Sequence, residues 1–88
     1  MKMTSLEFKT ICVTFSRQLE IASEELFETI DEKRPMDQMR KEIDAARATI
    51  RAYESTLNKL DELKRSQFMQ KFQEPVNEMI EAISDLKE

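Results

Sequence analysis

Apolar residues recur at alternating steps of four and three along most of the chain. Phe8, Cys12, Phe15, Leu19, Ala22 and Leu26 form one stripe. Met36, Met39, Ile43, Ala46, Ile50, Tyr53, Leu57 and Leu60 form a second, an unbroken series of a/d heptad positions. A third run, Met69, Phe72, Val76, Met79, Ile83 and Leu86, starts in a new register, because Lys64, Gln67 and Lys71 occupy the places where the second would continue. Such spacing puts each set on one face of an α-helix. It predicts an all-α chain, a single domain over 1–88 with helices at about 4–31, 35–64 and 66–88.

Punctuation supports these bounds. Thr4 and Glu7 have the spacing of a capping box, and Met3 and Phe8 that of the flanking hydrophobic staple. The first stripe ends before the polar stretch Asp31-Glu32-Lys33-Arg34. Pro35 suits the first turn of the next helix, where its missing N–H costs nothing. A turn around Lys64-Arg65-Ser66, with Ser66 as N-cap, separates the second helix from the third. Pro75 conflicts with a third helix running through it. The alternative is a long helical hairpin, its second helix reaching about Gln73, with a short C-terminal helix after Pro75.

An antiparallel turn about Glu32-Lys33 sets Phe15 opposite Ile50 and Cys12 opposite Tyr53. Folding the third helix back about Lys64-Arg65 sets Val76 opposite Tyr53. Large residues then meet small ones in several layers, as close packing requires. The expected architecture is an up-down-up three-helix bundle with coiled-coil-like heptad packing.

Composition narrows the chemistry. Glycine is absent from the 88 residues, which argues against phosphate-binding loops and hairpin turns. Histidine is absent too, removing the commonest general base and metal ligand near neutral pH. Cys12, the single cysteine, allows no internal disulfide and occupies a core position, where burial is its ordinary role. Met1-Lys2-Met3-Thr4-Ser5-Leu6-Glu7 turns polar where the apolar core of a signal peptide should begin. No apolar run reaches membrane-spanning length, and a formal charge of −4 disfavours phosphate backbones. The expectations are a non-enzymatic, cytoplasmic protein with no cofactor, no metal, no membrane and no direct nucleic-acid partner.

Two features remain unspent on the first helix. Six acids, among them Glu20, Glu24 and Glu28 on one ridge, lie between Arg17 and Lys33 with no basic residue among them. They load the helix's C-terminal half, where the macrodipole disfavours negative charge. A solvated face is the plain explanation, and Arg40, Lys41 and Arg47 on the second helix are placed to offset it. Leu6, Val13, Ile21 and Phe27 fall roughly 100° to 220° from the core stripe at 100° per residue. Either the chain's own third helix covers them or a partner does. Leu63, Phe68 and Met69 form a smaller surplus near the second turn.

These features favour a small protein-binding module, such as an adaptor, co-chaperone or inhibitor. Its contact would centre on Ile21 and Phe27, with the acids tuning rate and specificity. The alternatives are a homo-oligomer, self-assembling through the second helix's seam, and, more weakly, an acidic decoy of a nucleic-acid site.

Overall fold

The computed structural model describes residues 3–86. Helix α1 runs Ser5–Asp31, α2 Met36–Lys59 and α3 Glu62–Asp85, with no strand among the described residues. All three pack on one another as an antiparallel three-helix bundle. The last two residues of the predicted third helix lie outside the described residues.

The capping box at the start of α1 is formed. Glu7 N–H donates to the Thr4 hydroxyl at 3.1 Å, and Thr4 N–H donates to the Glu7 carboxylate at 2.9 Å. At the other end Lys33 adopts φ 51°, the left-handed region that glycine usually fills. Lys33 N–H donates to the Ile30 carbonyl and Arg34 N–H to the Thr29 carbonyl, closing the helix with a Schellman pair. A chain without glycine thus makes this turn at a steric cost. Pro35 is the N-cap of α2, one position ahead of the first turn.

The second turn departs from expectation. It falls at Leu60-Asp61, not at Lys64-Arg65-Ser66, and Asp61 replaces Ser66 as the N-cap, accepting from Lys64 N–H at 2.9 Å. Arg65 fixes it from inside α3, donating to the carbonyls of Leu57 and Leu60, both at 3.0 Å. Two carbonyls at the end of α2 thereby gain a cationic donor, which the heptad count cannot foresee.

The earlier turn shifts α3 by about one heptad against α2. Phe68, not Val76, meets Tyr53, with ring centroids 5.6 Å apart and stacked. Phe15 also meets Tyr53 at 5.6 Å, so α1 is displaced by half a heptad from the pairing of Phe15 with Ile50. Phe68, surplus to the heptad spacing, is fully buried at the centre of the core, with ring centroids 5.4 Å from Phe15 and 4.7 Å from Phe72. Met69 and Leu63 are exposed. The remaining core of α3 follows the expected stripe through Phe72, Val76, Met79 and Ile83.

On α2 the buried residues are Ala46, Thr49 and Tyr53, with Leu60 buried just past its end, whereas Met39, Ile43, Ile50 and Leu57 are half-buried. The helix is therefore rotated so that one edge of its apolar stripe lies near solvent. Thr49 enters the core because its hydroxyl is satisfied by the Ala45 carbonyl at 3.1 Å. Thr29 is buried with no partner for its hydroxyl, at a typical cost of about 1–3 kcal/mol.

Pro75 lies inside α3 and does not end it. With no N–H at position 75, the Lys71 carbonyl loses its usual helical donor. That interruption typically costs about 3 kcal/mol. Burial of Phe72, Val76 and Met79 on both sides of Pro75 offsets it, so α3 continues where the local signal favours a break.

Two substitutions test this arrangement in denaturant melts. Phe68→Ala is expected to cost about 3–5 kcal/mol and Met69→Ala less than about 0.5 kcal/mol. The reverse order would restore the sequence-based register. Lys33→Gly is expected to stabilise the chain by about 1 kcal/mol, because glycine enters the left-handed region without a Cβ clash. A loss of stability would mean that this helix end is not formed.

Candidate protein-binding surface

The α1 face opposite the core stays uncovered. Leu6 is 74% exposed, Val13 62%, Ile21 54% and Phe27 39%. The displaced α3 therefore does not bury them. It does approach one side of the face. A shallow groove between α1 and α3 is walled by Ser23 and Phe27 from α1 and by Pro75 and Glu78 from α3, with Glu24 and Glu28 at its rim. A neighbouring groove brings Val13, Arg17 and Glu20 beside Lys71. Ile21 and Leu6 sit farther round α1 and line neither of these grooves.

The acids of this face are unevenly compensated. Arg34 reaches back from the turn to Glu28 at 3.2 Å and Glu32 at 2.7 Å. It serves the negative end of the α1 dipole, which has no basic residue in its last turn. Exposed pairs of this kind contribute little stability. Glu20 and Glu24 make no ion pair among the described residues. Arg40 and Arg47 do not pair with the acidic face and make no ion pair among the described residues. The intramolecular offset allowed by the sequence is thus supplied at one end by Arg34 and is missing along the ridge.

One like-charge contact links the helices. Glu42 on α2 faces Glu25 on α1, and a shared hydrogen bond with Glu25 raises its pKa, helped by partial burial and by the repulsion between the two charges. Arg34 and Lys41 oppose the rise. Both acids line the α1–α2 seam near the end that carries the acidic run.

Cys12 is buried in the core, and desolvation raises its thiol pKa despite the pull of Lys71. A raised pKa leaves less thiolate, the reactive form. No group of three or more acids or cysteines among the described residues has the arrangement of a metal site. No helix of the described chain is long and apolar enough to cross a membrane.

The structure adds a second flank, on α2 and α3. On α3, Gln73 accepts a hydrogen bond from the Tyr53 hydroxyl at 2.9 Å, so this edge faces α2. Met69 and Ile80 share that edge within about 40° of Gln73 and are exposed. On α2, Ala52 and Thr56 line the seam with α1. The opposite edge carries exposed Met36, half-buried Ile43 and Ile50, and the ridge Arg40, Arg47 and Arg51. Its signal was present in the sequence as three arginines seven and four residues apart. None of the three makes an ion pair among the described residues.

Comparisons with protein-family models, curated proteins and solved structures gave no match to this chain.

The facing carboxylates give a pH test. A carboxyl whose folded pKa lies above its unfolded value holds its proton more tightly in the folded chain. Its charged form therefore weakens the fold at neutral pH, and stability is regained as pH falls towards the folded pKa. Glu42→Gln is expected to be more stable than wild type at pH 7 and to gain less on acidification to about pH 5. An unchanged pH profile would show that Glu25 and Glu42 do not interact.

Proposed function

We propose that this chain is a small non-catalytic protein-binding module whose α1 outer face is the docking surface, in a reducing compartment such as the cytoplasm. The observation that carries this reading is the exposure of Leu6, Val13, Ile21 and Phe27 beside Glu20 and Glu24, which make no ion pair among the described residues. Dispersed exposed apolar residues are common on soluble proteins. Here four share one helix face, and Phe27 borders a groove whose other wall is Pro75. An aromatic side chain brings a large apolar area with few rotatable bonds, which suits an anchor. Glu20 and Glu24 would raise the association rate with a basic surface and disfavour acidic ones.

Burial of Ala46, Tyr53 and Leu60 inside the bundle favours this reading over a coiled coil between chains through the α2 seam. That seam already serves the intramolecular core. The absence of histidine and of any phosphate-binding glycine supports a role without catalysis.

The double variant Phe27→Ser/Ile21→Ser tests the surface. Its circular dichroism should match wild type, because both residues lie outside the core. Quantitative affinity capture from cells should yield at least one protein retained by wild type and lost by the variant, with a dissociation constant weakened by about thirtyfold or more in purified form. Equal capture by both baits would remove the α1 face from consideration.

A further inference from the structure

The chain carries two uncovered faces of opposite charge. The first is the acidic, apolar outer side of α1. The second is the α2–α3 flank, where Arg40, Arg47 and Arg51 border exposed Met36, Met69 and Ile80. None of the three arginines makes an ion pair among the described residues, although Asp44 and Glu54 lie on the same face of α2 and leave it a surplus of only one positive charge. Within one molecule the faces do not meet, since one edge of α3 borders α1 and its other edge borders α2. At 1.5 Å per residue, Glu20 to Glu28 spans about 12 Å and Arg40 to Arg51 about 16 Å, so the ridges match in length.

We propose that the α1 face of one copy docks onto the α2–α3 flank of a second copy, acids against arginines and Ile21 and Phe27 against Met36, Met69 and Ile80. The proposal rests on the reading of α1's outer face as a docking surface and names its occupant. Charge complementarity selects this pairing over α1 against α1, which would oppose acid to acid. The bundle measures 46 × 20 × 17 Å. One long side is comparable to the roughly 800 Å² per partner that stable interfaces bury. Because the two faces differ, the contact is heterologous: a bound pair leaves one face of each kind open, one on each copy, and assembly runs past the dimer into rings or open rows.

Sedimentation of the full chain over a range of concentrations, in low and high salt, tests this. Wild type should form species larger than a dimer, and the association midpoint should move at least about tenfold higher in high salt. Glu20→Lys/Glu24→Lys reverses part of one face, and Arg47→Glu/Arg51→Glu part of the other. Each variant alone should remain monomeric with wild-type helicity, since like charges then face each other. An equimolar mixture of the two should associate again, because each supplies the face the other has lost.

Wild type that stays monomeric at every concentration overturns the proposal. So does wild type whose assembly ignores both reversals, or reversed variants that fail to associate on mixing. None of these results decides the proposed function, because loss of a captured heterologous protein on Phe27→Ser/Ile21→Ser is read independently of self-association. Conversely, unaltered capture by that variant removes the docking reading even if copies associate elsewhere.

Discussion

The stack of Phe68 on Tyr53 holds the bundle in register. Phe68 reaches Phe8 at 6.5 Å, Phe15 at 5.4 Å and Phe72 at 4.7 Å, so rings from all three helices converge around it. Each such pair adds about 0.5–1.5 kcal/mol beyond the burial of its area. Sliding α3 by one turn would break several of these contacts together. The same cluster gives Pro75 a reason to be tolerated, since the residues around it are already committed to the core. The ends of α2 and α3 are adjusted to that position. Arg65 closes the end of α2 and Asp61 opens α3, in a turn with Leu60 buried.

A short chain has little core to spare. Its register decides which apolar residues are spent on folding and which are left outside. Rotation of α2 towards Thr49 brings Ile43 and Ile50 to the edge of the core and leaves Met36 exposed. Use of Phe68 in place of Met69 leaves Met69 outside. The α2–α3 flank is thus a consequence of how the aromatic cluster is satisfied. The outer face of α1 has a different origin, because its four apolar residues lie well away from the core stripe and α3, in the position it takes, does not cover them.

Electrostatics follows the same division. The turn places Arg34 where it neutralises part of the acidic end of α1, and places Glu42 against Glu25 where it does not. Neither contact reaches Glu20 or Glu24. Surface charges without partners cost little in water, so folding supplies no pressure to pair them. They become energetically significant when a second surface removes that water, which is the physical basis for assigning them to docking rather than to stability.

The three-helix architecture, the capping box at Thr4 and Glu7, and the second apolar stripe of α1 were legible in the sequence, but not whether the third helix would cover that stripe. Each depends on spacing within one helix, and helical geometry fixes those relations locally. The place of the second turn, the burial of Phe68 and the status of the α2 arginines were not. Two heptad patterns align equally well in several offsets, and Ser66 has as good a local claim to be an N-cap as Asp61. The choice between them was made by contacts between residues distant along the chain, above all Tyr53 with Phe68 and Phe15 with Phe72. Local periodicity determined which side of each helix is apolar. Only packing among all three helices decided how far each slides against the others, and hence which apolar and charged residues remain for something else to cover.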